Sequence, residues 1–318
     1  MSDFVPTIRD VIPRPYSLNA APGLFSRAWI YHNHLYRETA DRIRTFTPDI
    51  IHSLHINGRG AIESGNDAGI PTIVSTHALE LADERMAAAT IRHADATHSV
   101  SNFTKSLVTD LVSDVHPYVV PPSIDVDEYA AARDQHRTVS GKVTTICRLV
   151  DRKNVSTLIE AWERIDGSLD DAELVVIGEG PNKERLIRRG SELESVQFTG
   201  WVDHETKLRH LSESEVFVLV PRRFGYDVEG FGIVYIEAQA TGTPVIGSRH
   251  GGVPEAVGDG GIIIDNETDA ELLAAEIREF LNNRKLKSRY QSQVISRVEQ
   301  FDIQTVAQQH IRKYICFG

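Results

Sequence analysis

Short apolar runs alternate with longer amphipathic stretches along most of the chain. The runs are typical of strands buried inside parallel sheets, and the stretches between them have the periodicity of helices. The predicted strands lie at 50–55, 71–77, 96–100, 118–120, 143–147, 173–177, 196–199, 216–220 and 261–264. The predicted helices lie at 24–46, 62–68, up to 93, from 102, 155–165, 183–189, 233–240 and from 269 onward. This alternation in two blocks predicts an α/β protein with two doubly wound, Rossmann-like domains.

The two blocks are separated by a polar and charged stretch at residues 123–141. Such a shift in composition is typical of a domain boundary. We therefore expect an N-terminal domain at 1–128, a C-terminal domain at 129–300 and a final helix at 301–318 that can cross back to the first domain. Ligands of such sheets bind at the carboxyl ends of the strands, so the active site is expected in the cleft between the domains.

Composition narrows the class of protein. The chain has 318 residues, 41% of them hydrophobic, which is enough to form two packed cores. A net charge of −11 argues against a nucleic-acid-binding surface. The chain has no apolar run of 18 residues, and Asp3, Arg9 and Asp10 interrupt its start before a signal peptide could form. With two distant cysteines, Cys147 and Cys316, the pattern favours a cytoplasmic protein.

The most specific motif runs from Glu229 to Glu255 and begins with two glutamates separated by seven residues. Gly230-Phe231-Gly232 allows a sharp turn, and residues 233–240 form a helix that begins just after a predicted strand. The N-terminus of such a helix suits a phosphate. Carboxylates cannot bind phosphate but accept hydrogen bonds from sugar hydroxyls, so Glu229 and Glu237 predict a nucleotide sugar as the ligand.

A second constellation lies at residues 147–154, where Arg148 leaves the end of a strand and Lys153 precedes a helix. Two fixed cations at such a position can neutralise a leaving diphosphate. Arg152, between them, is expected to be solvated.

These two segments resemble the donor-binding signature of retaining glycosyltransferases of the GT-B fold, glycosyltransferase family four. The resemblance covers about residues 48–314, with the E-x7-E element and the following GTPVI…GG-x-PE run as its most specific part. Arg148 and Lys153 match the two phosphate-binding positions of the family. Cys147 and Asn154 replace two glycines of that element, and we expect the loop to keep its form because Asn tolerates left-handed backbone geometry.

The resemblance implies roles for individual residues. Glu237 would bind the ribose, and Glu229 would face the transferred sugar or the diphosphate. Sugar and phosphate oxygens would be held by backbone amides, those of Phe231, Gly232, Ile233 and Val234. His77, at the end of a predicted strand, would donate to a sugar hydroxyl, although a buried structural histidine is the alternative.

Three further residues lie in segments that match the family near the donor nucleotide. Gly178 follows a predicted strand and is either next to the nucleotide or only part of a turn. The segment at 198–202 would contact the edge of the base through Trp201 and Val202, although ordinary packing is the alternative for Trp201.

The predicted activity is retaining transfer of a hexosyl group, with no cofactor and no metal. The donor would be a UDP or GDP sugar and the acceptor a glycan, a lipid or a small molecule. The strand and glycine-rich loop with which the family usually begins are not found before Pro48. This departure keeps a non-catalytic partner subunit open as the alternative. The aromatic-rich segment at 22–36 keeps peripheral contact with the inner face of a membrane open, with a core helix as the simpler interpretation.

Overall fold

The computed structural model describes residues 24–167, 169 and 171–316, and of residues 24–30 the backbone only. The expectations for residues 1–23, and for the side chains that begin the segment at 22–36, lie outside the described residues. None of the described helices is long and apolar enough to cross a membrane.

The N-terminal domain contains a four-stranded parallel sheet in the order β1-β2-β3-β4. Eight fully buried apolar side chains form its core, among them Ile62 on a helix and Val74 on the central strand β2. The strands are β1 (Ile51–Ser53), β2 (Thr72–Thr76), β3 (Ala96–Ser99) and β4 (Tyr118–Val119). The helices are α1 (Leu24–Phe46), α2 (Arg59–Asp67), α3 (Glu84–His93) and α4 (Asn102–Leu111).

The C-terminal domain contains a six-stranded parallel sheet in the order β10-β9-β8-β5-β6-β7. Its strands are β5 (Lys142–Ile146), β6 (Glu173–Ile177), β7 (Val196–Gly200), β8 (Val216–Val218), β9 (Val245–Ser248) and β10 (Gly261–Ile264). Its helices are α6 (Val155–Glu163), α7 (Lys183–Gly190), α8 (His204–Glu213), α9 (Ile233–Ala240), α10 (Val253–Val257), α11 (Ala270–Asn282) and α12 (Arg284–Val298).

Both faces of this second sheet are covered, as the continuous apolar strands predict. Val216 and Val218 pack in the cluster with α6 and α11, whereas Phe217 and Leu219 pack in the cluster with α9. Successive side chains of a strand point to opposite faces, so one short run supplies both cores.

The polar stretch at 123–141 contains a helix, α5 (Val126–Gln135), that the sequence reasoning did not predict. Asp125 caps it by accepting from Glu128 N at 3.2 Å, and it packs against α8 and α9 of the C-terminal domain. The division of the chain at residues 128–129 stays a prediction, and it falls within this helix.

The chain returns to the first domain through its last helix, α13 (Ile303–Ile315). The two crossing segments lie side by side, because Ile124 N donates to Phe301 O and Ile303 N donates to Ile124 O, both at 3.0 Å. Farther along α13, the Tyr314 hydroxyl lies 2.7 Å from His52 Nδ1 on β1.

Candidate functional site

The site lies where the order of strands in the six-stranded sheet reverses. From β5 the chain proceeds through β6 and β7 on one side, then returns to β8 on the other side of β5. Ligands of open α/β sheets bind at such a switch point, outside the carboxyl ends of the two diverging strands. The loops that leave these ends are residues 147–154 after β5 and residues 219–232 after β8, which are the two segments that the sequence singled out.

An ion-pair network joins the two loops across the switch point. Glu229 accepts hydrogen bonds from Lys153 Nζ and, at 2.6 Å, from Arg152 Nη1, and all three side chains are at most 15% exposed. Burial by itself raises the pKa of Glu229, but Lys153 and Arg152 outweigh it and hold the pKa below its usual value. The carboxylate is therefore ionised and fixed between two cations.

The expectation that Arg152 is solvated is wrong. Its side chain is 15% exposed, and its Nε lies 2.7 Å from Asp227 Oδ1 in addition to the contact with Glu229. The partners lie some 75 residues along the chain, so local sequence gave no signal for them. Arg148, by contrast, is exposed and has no ion pair among the described residues. Its guanidinium is available to an anion in the cleft.

The loop after β5 keeps its form despite the two replaced glycines, as predicted. Asn154 has a left-handed backbone (φ 56°, ψ 29°), and its amide donates to Val220 O at 3.1 Å and Glu267 O at 2.7 Å. Cys147 is partly buried against the core of the domain, and burial raises the pKa of its thiol to about 12, so we expect an unreactive side chain.

The N-terminus of α9 presents free amides to the same edge of the sheet. Gly232 takes a positive φ of 93° as the N-cap, which turns the chain from the loop into the helix. Phe231 is buried, Val234 is half-buried and Ile233 is 44% exposed. No acceptor within the described residues takes the backbone N–H of any residue from 231 to 234. Four unpaired donors at the positive end of a helix are suited to diphosphate or sugar oxygens.

The loop that precedes α9 is packed main chain against main chain. A Cβ at Gly230 would overlap the carbonyl oxygen of His77, and one at Gly252 would overlap the carbonyl oxygen of Gly230. A Cβ at Gly251 would overlap the carbonyl oxygen of Glu229 in the same way. Ser101 in the N-terminal domain adds a hydrogen bond to Gly230 O at 2.6 Å. These contacts hold the loop of Glu229 against the N-terminal domain.

Glu255, the last residue of the motif, also joins the two domains. Its carboxylate accepts from the backbone N–H groups of Asn102 (2.8 Å) and Phe103 (2.9 Å), which are the first residues of α4. A carboxylate at a helix N-terminus satisfies unpaired amides and interacts favourably with the helix dipole.

Glu237 lies on α9 and is held by two residues that the sequence reasoning missed. Lys207 Nζ and the Tyr129 hydroxyl both donate to Glu237 Oε1 at 2.7 Å, from α8 and α5 respectively. Burial, followed by the charge of Glu237, raises the pKa of Tyr129. The capping pattern Asp203-x-x-Thr206 could have revealed α8, which carries Lys207.

The loops after β6 and β7 lie beside this region. Gly178 (φ 137°) is more than a solvent-facing turn, because a Cβ there would overlap the carbonyl oxygen of Cys147. Trp201, directly after β7, is 75% exposed, so it is not a packed core residue. Val202 is half-buried. A large aromatic side chain in solvent at the carboxyl end of the edge strand β7 is available for stacking.

His77 follows β2 in the opposite domain. It is not a buried structural histidine, because 46% of its side chain is exposed. Its Nδ1 lies 3.3 Å from Glu80 Oε1, and its carbonyl oxygen touches Gly230. The structure therefore places His77 next to the loop that carries Glu229.

Comparison with known families agrees with this geometry. Residues 128–297, more than half of the chain, match the model for "Glycosyl transferases group 1", and residues 4–128 match the model for "Glycosyltransferase Family 4". The chain belongs to glycosyltransferase family four. This glycosyltransferase has the GT-B fold, as the sequence predicted.

Curated relatives of the glycosyltransferase include two mycobacterial enzymes. Both are described as GDP-mannose-dependent alpha-(1-6)-phosphatidylinositol monomannoside mannosyltransferases. The Mycolicibacterium smegmatis enzyme is 37% identical over 177 residues, which is 51% of this chain and 46% of the relative. The Mycobacterium tuberculosis enzyme is 33% identical over 206 residues, 60% of this chain and 53% of the relative. The match thus spans about half the length of these relatives.

Among solved structures, Anabaena HepE in complex with UDP and glucose is similar, with a TM-score of 0.73. The alignment covers 88% of this chain and 82% of HepE at 17% sequence identity. At that identity the likeness supports the GT-B fold and not a particular substrate.

Proposed function

We propose that the glycosyltransferase transfers a hexosyl group from a nucleotide-diphosphate sugar with retention of the anomeric configuration. The observation that carries the proposal is the pairing of Glu229 with Lys153 across the switch point, beside the unpaired amides of 231–234. Positive charge and N–H donors converge there on a place where a diphosphate would lie.

In the proposed reaction the bond between the anomeric carbon and the diphosphate oxygen breaks. The acceptor oxygen bonds to that carbon on the same face, and its proton passes to the departing diphosphate. Lys153, Arg148 and the amides at 231–234 stabilise the negative charge that develops on the leaving group. No protein nucleophile, metal or cofactor is required by this scheme, because the leaving group itself serves as the base.

For the donor we propose GDP-mannose first, because two curated relatives are described as GDP-mannose-dependent. UDP sugars, the other donor class that the sequence left open, are the second choice. For the acceptor we propose a glycolipid with a polyhydroxylated head group, since those relatives are described as acting on phosphatidylinositol monomannoside. Such an acceptor would bring the enzyme to the surface of a membrane.

Thermal unfolding in the presence of GDP, UDP, GDP-mannose and UDP-glucose tests the donor site. A nucleotide that binds the folded state at a hundredfold excess over its Kd adds about 2.7 kcal/mol of stability. We expect this gain with GDP and GDP-mannose, and its loss in Glu237→Ala. The matched control is Glu271→Ala, since the Glu271 side chain is 76% exposed. If no nucleotide raises the midpoint, the proposal is wrong.

Transfer is tested by incubating the enzyme with radiolabelled donor and a mycobacterial glycolipid extract. A labelled glycolipid whose new linkage has the anomeric configuration of the donor supports the proposal. Nucleotide binding without turnover on lipid, glycan or small-molecule acceptors would instead favour a non-catalytic subunit, and an inverted product would contradict retention.

A further inference from the structure

His77 of the N-terminal domain lies beside the loop of residues 219–232, which carries Glu229. It follows the carboxyl end of β2, its carbonyl oxygen touches Gly230, and its ring is half exposed. Its Nδ1 faces Glu80, whereas its Nε2 has no partner among the described residues. The ring therefore has one nitrogen in contact with the protein, and its other nitrogen is free to meet a ligand.

Glu80 is almost completely enclosed, with a side chain that is 7% exposed. One of its oxygens, Oε1, accepts from the His77 backbone N–H at 2.5 Å and lies 3.3 Å from His77 Nδ1. Burial by itself raises the pKa of Glu80, but the hydrogen bonds from His77 outweigh it and lower the pKa. The carboxylate is thus ionised while it contacts the ring.

The chain adopts a strained turn in order to bring Glu80 back onto His77. Ala78, between them, has φ 97° and ψ −58°, a combination that residues other than glycine rarely adopt. Ala78 is fully buried, and a 3-10 turn (Leu79–Ala82) follows, anchored by buried Leu81. Strain of this kind persists only where the surrounding packing imposes it, and it is concentrated at functional sites.

The contact with Glu80 determines which ring nitrogen carries the proton. An ionised carboxylate only accepts hydrogen bonds, so Nδ1 must be the protonated nitrogen. Nε2 of the neutral ring then carries the lone pair. This differs from the role expected from the sequence, in which His77 donates to a sugar hydroxyl. A neutral ring held in this way accepts from the hydroxyl.

We propose that Glu80 is a positioning residue for the transfer reaction: it fixes His77 as the Nδ1–H tautomer and leaves Nε2 to accept a hydrogen bond from a hydroxyl of the donor sugar. The proposal rests on the proposed function and adds to it a second residue of the sugar subsite. The sequence feature that could have revealed Glu80 is the spacing His-x-x-Glu at the end of a strand. The sequence reasoning concentrated on the motifs of the C-terminal domain and did not use it.

Nitrogen-15 NMR of histidine-labelled enzyme, without ligand at a pH where the histidines are neutral, tests the tautomer directly. We expect wild-type His77 to be the Nδ1–H form. Glu80→Gln should keep it, because the amide oxygen can still accept from both N–H groups. Glu80→Ala should show the tautomer mixture of a free imidazole. His52, His55 and His98 also lie near His77, so single His→Gln variants assign the signals.

Ligand affinity separates positioning from general structural support. Glu80→Ala should weaken binding of the nucleotide sugar about tenfold and lower kcat/KM about tenfold to a hundredfold. Affinity for the nucleoside diphosphate should stay within about twofold, because His77 faces only the sugar. Glu80→Gln should recover most of the loss, and Asp41→Asn, on the exposed face of α1, should change neither affinity.

In a His77→Ala background, Glu80→Ala should lower the affinity for the nucleotide sugar and kcat/KM by less than about threefold further. The effects of residues that act as a unit are not additive. The proposal is overturned by an Nε2–H tautomer in the wild type, by equal loss of nucleotide and nucleotide-sugar affinity, or by effects that multiply in the double variant. If the enzyme neither binds nucleotides nor transfers sugar, the proposed function fails, while the NMR measurement still decides the role of Glu80.

Discussion

The two domains share an architecture, but different kinds of internal contact stabilise their sheets. The strands of the C-terminal sheet bury mostly apolar side chains on both faces, and its loops pack through glycine. The central strands of the N-terminal sheet instead bury hydroxyls and imidazoles. Ser75 Oγ lies 2.8 Å from both His52 and His98, and His98 Nε2 lies 2.7 Å from Val120 O. One half is therefore stabilised chiefly by burial, and the other depends on a satisfied polar network.

The difference has a functional side. The C-terminal domain brings main-chain donors and one buried ionic cluster to the switch point, where we propose that the diphosphate binds. The N-terminal domain contributes single side chains, His77 and Glu80, at the end of a strand. The two halves are nevertheless coupled where they meet, because His77 O and Ser101 Oγ both contact Gly230.

The largest effect is expected from Glu229→Ala. The substitution leaves Lys153 and Arg152 buried without their shared carboxylate, so the unfolding free energy should fall by about 3–5 kcal/mol. Turnover should fall by about 10²–10³-fold because Lys153 loses its orientation. Urea unfolding and initial rates measure the two effects, with Glu271→Ala as the exposed control.

A loss below about 0.5 kcal/mol in Glu229→Ala would mean that the cluster is solvated, and the contrast between an ionic C-terminal site and a polar N-terminal core would not hold.

The next effect distinguishes the two sheets by their response to acid. Burial lowers the pKa of His98 to about 3 and of His52 to about 4, and burial also lowers the pKa of His310 on the adjacent α13. The unfolded chain takes up the protons of His98 and His52 near pH 6.5, whereas the folded domain takes them up only near pH 3–4. Stability is thus complete above pH 6.5 and decreases as the pH falls toward 4.

Hydrogen exchange at pH 7 and pH 5 measures this loss for each sheet. Each buried histidine contributes up to about 1.4 kcal/mol per pH unit within that window. Among the described residues, burial lowers the pKa of two histidines of the N-terminal sheet, His52 and His98, to about 3–4, and that of one histidine of the C-terminal domain, His210, to about 4, so the N-terminal sheet should lose protection at least twice as steeply. His98→Gln should flatten the slope and His93→Gln, an exposed control, should not. Equal slopes in the two sheets would contradict the comparison.

The smallest effect on stability is expected from Trp201→Ala. The side chain is 75% exposed, so the unfolding free energy should change by less than about 0.5 kcal/mol. If Trp201 stacks on the base, nucleotide affinity should nevertheless fall by about 1–3 kcal/mol. Titration calorimetry with GDP measures this, and Ile295→Ala, an exposed apolar residue on α12, is the control. Unchanged affinity would remove Trp201 from the site.

The sequence predicted the backbone around the candidate C-terminal site because glycines and strand ends determine it locally. Asn154 adopts the left-handed conformation that replacing a glycine required, and α9 spans residues 233–240 as predicted.

The contacts that the sequence did not reveal are long-range side-chain pairs. Arg152 finds Glu229 and Asp227 only after two loops meet, and Lys207 and Tyr129 reach Glu237 from helices that were not predicted. The sequence reasoning did not predict helix α5, because only three of its ten residues are buried and the segment therefore has little apolar periodicity. Glu80 was within reach of local reasoning, three residues from His77, but its role depends on a turn at Ala78 that alanine rarely forms.

The stack of glycines at Gly230, Gly251 and Gly252 has a consequence for how such a site can diverge. Each meets a carbonyl oxygen of another loop, so the height of the donor loop above the sheet is set by atoms that every residue type shares. Neighbouring side chains can be exchanged, and new sugars accommodated, while the amides that we propose to meet the diphosphate remain where they are. Substitutions that change sugar specificity then need not change the geometry of bond cleavage. Substitutions at the three glycines themselves should be the least tolerated.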